Sequence, residues 1–321
     1  MSFPKTAASP AAPAQQSKSN LQKTLKLMKR NYILYLFLLP AAVYLVLYHY
    51  APMYGIQLAF KDYIPAKGIW GSPWVGMKWF NTFFSSPRFW VLLKNTVVIS
   101  LYSLAASFPT PVILALIINN VGNNKLRRFS QTVTYIPHFI SVVVLVGMIS
   151  VFFSPRSGFV NTIIQFFGAE PIYFMGEPQY FRHMYVWSGV WQSTGWGSII
   201  YLAALAGVGP ELHEAAIIDG ASRLKRIWHI DLPAIMPTMV ILLIMNCGQV
   251  MNVGFEKIYL MQNSLNQVYS EVISTYTYKI GLLQAEYSYS TAIGLFNNVI
   301  NFIILIAVNK IAGKLSGSSL W

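Results

Sequence analysis

Six stretches of this chain run for more than about twenty residues without an Asp, Glu, Lys or Arg, the length a helix needs to cross a bilayer core. They lie near Tyr32–Phe60, Asn95–Asn120, Phe129–Phe153, Met184–Val208, Pro233–Phe255 and Tyr287–Asn309. The first crossing is expected within the first two-thirds of its stretch. Barrel strands would be about ten residues long with alternating polarity, and no segment has that pattern. The prediction is an all-α integral membrane protein with six transmembrane helices and both termini on one side. Composition agrees: 55% of the 321 residues are hydrophobic and 10% are charged, where a soluble domain carries about a quarter charged residues.

The polar segments fix the orientation. The tail before Tyr32 holds Lys5, Lys18, Lys23, Lys26, Lys29 and Arg30 and no acid. On the same side fall Lys125, Arg127 and Arg128, then Arg223, Lys225 and Arg226, then Lys310 and Lys314. By the positive-inside rule this side is cytoplasmic, with both termini on it. Topology thus accounts for most of the +13 net charge, and nucleic-acid binding is not needed to explain it. Residues 1–31 form a basic tail, and the first twenty, rich in Ala, Pro, Ser and Gln, are expected to be disordered. Residues 32–321 form one membrane domain with a cytoplasmic loop at 209–233. The first span follows too long a tail for a typical leader and reads as uncleaved. Cys247 is the only cysteine, which leaves no disulfide framework and no cysteine metal site; no metal or catalytic residue is predicted.

The loop at 209–233 is the most ordered polar segment. Pro210 and Glu211 suit a first helical turn, where a missing N–H costs nothing and a carboxylate meets the positive dipole end. Leu212, Ala215, Ala216 and Asp219 fall at helical spacing. Gly220 supplies a left-handed turn, Ser222 caps a second short helix, and Asp231 and Pro233 fit the cap and first turn of the fifth span. Glu214-Ala215-Ala216, Asp219-Gly220-Ala221, Ile230 and Leu232-Pro233 together resemble the EAA loop of binding-protein-dependent ABC importer permeases of the type that carries maltose. The resemblance extends from the first span to the end of the chain. It implies the type I importer permease fold, with a coupling helix that docks into a groove of an ATPase subunit. Glu214, Ala215, Ala216, Asp219, Gly220, Ala221, Leu232 and Pro233 would then contact that subunit or shape the loop. It further implies a second permease, two ATPase subunits carrying ATP and magnesium, an extracytoplasmic solute-binding protein, and residence in a bacterial inner membrane. Pro52-Met53-Tyr54-Gly55, Ala59-Phe60-Lys61-Asp62-Tyr63, Trp74-Val75-Gly76 and Tyr135-Ile136-Pro137-His138-Phe139-Ile140-Ser141 are similar to the subgroup that imports oligo- and polysaccharides.

The chain has no P-loop of its own, because no G-x-x-x-x-G-K-[ST] occurs. All ten acidic residues lie in loops or at span ends, so an ion-coupled carrier would lack the intramembrane carboxylate it usually needs; His49 and His138 remain as candidates for that role. Polar residues inside spans point to a path. Trp187, Trp191 and Gln192, with Ser193 and Thr194, sit on the fourth. Asn246, Gln249 and Asn252 follow an i, i+3 rhythm on the fifth, and Asn297 and Asn301 share a face of the sixth. Amides and flat aromatics together suit sugar hydroxyls and ring faces, while the same residues also join helices. Gly189, Gly195 and Gly197 read as close-packing positions or as a bend. An acidic glycan is a further expectation, from Lys61, Lys67, Lys78, Arg88, Lys94, Arg156 and Arg182 on the outer side. A permease for a non-sugar solute, an ion-coupled carrier and a membrane scaffold stay open as alternatives.

Overall fold

The computed structural model describes residues 26–317, 319 and 320. Among them every regular element is a helix, and the only strand-like pairing is an isolated bridge between Lys61 and Trp74. The expected disorder of residues 1–20, with Lys5, Lys18 and Lys23, lies outside the described residues. The chain divides into two units, residues up to Gln57 and residues 58–321. Helix α1 (Tyr32–Phe60) begins in the first and loosens into a π turn at Val46–Tyr50, just ahead of Pro52.

The second unit holds the remaining helices. Helix α2 spans Phe89–Asn119, starting six residues before the expected Asn95. It runs through Lys94, whose aliphatic stem can lie along an apolar face while its ammonium reaches out. The third expected span, Phe129–Phe153, is not one helix. It is a pair, α3 (Asn124–Phe139) and α4 (Val142–Phe152), bent by 97°. The reason is local. Pro137 tightens the end of α3 into a 3-10 turn, Ile140 becomes extended, and the Ser141 side chain caps α4 by accepting from Val144 N. The Ile140 carbonyl freed at the bend accepts from Gln192 Nε2 at 2.7 Å, as a backbone group away from water requires.

Helix α5 (Pro178–Leu205) opens on a proline whose missing N–H is one of the unpaired groups of a helix start. The 209–233 loop supplies α6 (Pro210–Ile218). Helix α7 (Arg223–Cys247) begins well before the expected Pro233 and stops eight residues short of the expected Phe255. The short α8 (Phe255–Met261) and the long α9 (Tyr287–Ser316) follow, and shorter helices such as Lys78–Phe84, Phe159–Phe166 and Ile273–Tyr278 lie in the connections. By length and composition α1, α2, α7 and α9 suffice to cross a membrane, and the bent pair would be a fifth span. Helix α5 has 28 residues but carries Arg182, His183, Gln192, Ser193 and Thr194, and stands outside that apolar class.

Helices α2 and α5 form the centre of the second unit. Ile99 of α2 packs with Leu145, Val146 and Ile149 of α4, Phe181, Met184 and Val186 of α5, and Ile258 and Met261 of α8. A second cluster joins Leu92 of α2 to Ile293 of α9, and a third joins Val112 and Ala115 of α2 to Tyr201 and Leu205 of α5 and Ile235 of α7. Lipid tails are as apolar as these side chains, so such contacts stabilise through van der Waals fit and small residues at close approaches. The glycines of α5 serve this. A Cβ on Gly195 would fall 3.0 Å from Tyr135 N and closer still to the Thr134 carbonyl, and one on Gly197 would fall 3.1 Å from Pro111 Cγ.

Candidate functional site

The loop folds as its residues dictate. Pro210 and Glu211 occupy the first turn of α6. The helix ends in a Schellman arrangement: Ala221 N donates to Ala216 O at 2.8 Å and Gly220 N to Ile217 O at 3.0 Å, with Gly220 at φ +75°. Ser222 caps the start of α7 by accepting from Lys225 N. Glu214, Ala215, Asp219 and Gly220 are exposed, and Ala216 and Ala221 are half-buried. Leu232 and Pro233 lie inside α7, not at a fresh helix start, because a π turn at Ile227–Asp231 carries the helix through them.

Asp231 is therefore not the cap expected of it. Its side chain is fully buried and makes no capping bond. Instead Asn120 Nδ2, just past the end of α2, donates to its Oδ2 at 3.2 Å, and His213 Nε2 of α6 lies 3.3 Å from its Oδ1. One buried carboxylate thus joins the loop helix to two membrane helices. Beside Leu212 (54% exposed), the loop exposes apolar residues that sequence reasoning passed over: Ile218 (86%), Leu224 (69%) and Trp228 (64%). A polar loop bearing exposed Leu, Ile and Trp has the character of a docking surface. The signal was present in sequence, as large apolar residues on a segment otherwise read as solvated.

The second feature is a polar cavity of about 260 Å³ where α7 breaks. Ser100, Ser103 and Ser107 line it from α2, Tyr185 from α5, Asn246 from the last turn of α7, and Gln249 and Asn252 from the break. Ser100 Oγ and Ser103 Oγ are buried and have no protein partner. The three serines stand at i, i+3 and i+7, one helical face, and that spacing was the available sign of a wall that the sequence reading left out. Beyond Cys247 the chain loses helical bonds, and α9 supplies replacements. Asn301 Oδ1 accepts from Met251 N at 2.9 Å, and Asn297 Nδ2 donates to Asn252 Oδ1 at 2.8 Å. Of the expected path residues, Asn246, Gln249 and Asn252 come together at the cavity. Asn297 orients one of them, and Asn301 supports the broken backbone.

The fourth-span residues lie elsewhere. Trp187 and Trp191 line a separate cavity of about 430 Å³, walled by Leu145, Ile149, Phe152 and Phe174 among others. At its edge Trp187 Nε1 donates to Tyr102 Oη, which is 2.9 Å from His183 Nδ1. Gln192 is engaged with the α3–α4 bend. His138 stacks on Trp196 with ring centroids 4.5 Å apart.

Comparison with known proteins places this geometry. Residues 107–317 match the family described as binding-protein-dependent transport system inner membrane component. The chain is 45% identical over 294 residues to protein LplB of Bacillus subtilis (strain 168), covering 92% of each chain. It is 44% identical over 310 residues to the polygalacturonan/rhamnogalacturonan transport system permease protein YteP of the same organism, covering 96% of each. Among solved structures it is similar to a chain of a bacterial ABC transporter involved in the import of the acidic polysaccharide alginate. Identity there is 39% and the TM-score 0.85, over 92% of this chain and 99% of that one. A further structure of that transporter is in complex with an alginate pentasaccharide-bound periplasmic protein, at the same identity and coverage.

Proposed function

The chain belongs to the inner membrane components of binding-protein-dependent transport systems, and on that premise we propose that it carries oligosaccharides or polysaccharide fragments inward. It is a membrane permease, not the ATPase. In this reading six crossings place both termini and the 209–233 loop in the cytoplasm of a bacterial inner membrane. A second permease completes the path, two ATPase subunits bind ATP and magnesium, and an extracytoplasmic binding protein delivers the glycan.

The observation that carries the reading is the cavity at the α7 break. It offers hydroxyls and primary amides, some without protein partners, in a chain whose loop helix presents exposed apolar residues beside the EAA positions. Amides and hydroxyls match the donor–acceptor alternation of a sugar. The Asp231 junction links that loop to α2, which also contributes the serine wall. Closure of the ATPases would pull on α6, and the pull would reach α2 and α7 together. The names of the relatives support a polysaccharide substrate, and the alginate transporter supports an acidic one. Uptake by the reconstituted complex of labelled oligosaccharides of one length tests this: uptake that requires both ATP and a loaded binding protein is expected. Transport of amino acids or peptides in place of every glycan tried would overturn it.

A further inference from the structure

We infer that Lys257, with Arg182 one turn of α5 away, sets a preference for anionic sugars at the polar cavity; this rests on the polysaccharide-permease reading. Lys257 follows the α7 break on α8 and is buried, with 8% of its surface exposed. Its Nζ donates to the Tyr185 carbonyl at 2.9 Å and lies 4.9 Å from the centroid of the Tyr185 ring. Tyr185 and Gly254, three residues before Lys257, both line the cavity. Gly189 leaves the notch that admits the ammonium, since a Cβ there would stand 3.3 Å from Nζ.

The charge is uncompensated. Among the described residues the ion pairs are Lys78–Asp62, Arg88–Glu271, His213–Asp231 and Lys279–Glu271, and neither Lys257 nor Arg182 takes part in one. Arg182 donates to Asn95 Oδ1 at 2.8 Å and rests 4.7 Å from the Tyr269 ring centroid, and its Nε has no partner. Arg182 and Tyr185 are three residues apart on α5, about 4.5 Å along the axis, so Arg182 stands one helical turn from the Tyr185 carbonyl that Lys257 binds. Burial pushes the Lys257 ammonium down to about 8, and it keeps most of its charge at neutral pH. A buried lysine without a carboxylate is costly, and a well-packed apolar residue of similar volume is often neutral or better for stability. Packing alone gives no reason for the charge. A substrate carboxylate entering the cavity does, because a cation held behind the Tyr185–Gly254 wall, in a low-dielectric surrounding, acts strongly on an anion nearby.

The test uses the reconstituted complex with its binding protein. Uptake is measured for a uronate oligomer and a neutral oligomer of equal length, in wild type, K257M, K257R and R182Q. Methionine fills the Gly189 notch without charge. K257M is expected to lose about tenfold or more in kcat/KM for the uronate oligomer, the scale of one charge-assisted hydrogen bond. Neutral uptake is expected to stay within about twofold, K257R to recover part of the loss, and R182Q to show a smaller loss of the same kind. K257M purified with wild-type thermal stability completes the expected result. Equal losses for both oligomers would mean a packing role, and no loss would remove Lys257 from recognition; either overturns the inference. If wild type transports neither oligomer, the polysaccharide reading itself fails and takes the inference with it.

Discussion

Gly220 isolates the contribution of one backbone angle to energy coupling. It sits at φ +75°, and a Cβ added there meets nothing within 4 Å, so substitution changes conformational preference without a clash. An L-residue in the left-handed region costs about 1–2 kcal/mol, with Asn at the low end because it tolerates that region. Proline cannot reach a positive φ and has no N–H, so it also removes the 3.0 Å bond from Gly220 N to Ile217 O; the loss is about 3 kcal/mol or more. The expected order of ATP-coupled uptake is Gly, then Asn, then Ala, then Pro. If docking requires the closed Schellman end, 1–2 kcal/mol lowers the ratio of competent to incompetent conformers by about 5–30-fold. The assay is uptake and ATP hydrolysis by the reconstituted complex, with membrane insertion checked by the amount purified. G220P is expected to insert and to lose coupled uptake. Uptake by G220P at the wild-type rate would refute the argument that the end of this helix positions the loop on a partner.

Three further outcomes follow from the same geometry. G195A drives a Cβ into the Thr134–Tyr135 backbone, which cannot rotate aside, and is expected to destabilise by about 1–3 kcal/mol, read as a lower apparent Tm. D231A leaves Asn120 and His213 without their shared partner, at about 1–3 kcal/mol, and is expected to raise the ATP hydrolysed per glycan imported. H213A combined with it should be non-additive by about 0.5–3 kcal/mol, and full additivity would count against a shared junction. The Lys257 ammonium is lowered from 10.5 to about 8, so between those values the unfolded chain binds more protons than the folded one and stability rises with pH. Apparent Tm measured at pH 7.5 and 9.5 should show this gain in wild type relative to K257M.

Much of the architecture was legible because it rests on local rules. Charge-free stretches marked α1, α2, α7 and α9, and Pro210, Gly220 and Ser222 marked the ends of the loop helices where they are found. What was not legible depends on partners distant in sequence. Pro137 suggested a kink, but a 97° bend is stable only because Gln192, some fifty residues on, satisfies the Ile140 carbonyl. Asp231 reads as a cap in isolation and becomes a buried link because Asn120 and His213 converge on it. The charge-free run after Cys247 looked like continuing helix; Asn297 and Asn301 of α9 bond to the chain there and hold it broken. The cavity needs α2, α5 and the break after α7 at once, and only the amides Asn246, Gln249 and Asn252 stood out along the chain.

The most direct test of the central claim is the ATPase rate of the complex that copurifies with this chain, measured with binding protein that is empty or loaded with defined oligosaccharides. The account predicts that an ATPase copurifies and that glycan-loaded binding protein stimulates it well above the empty form, with uronate oligomers ahead of neutral ones. A complex without an ATPase, or a rate indifferent to every loaded glycan, would contradict it.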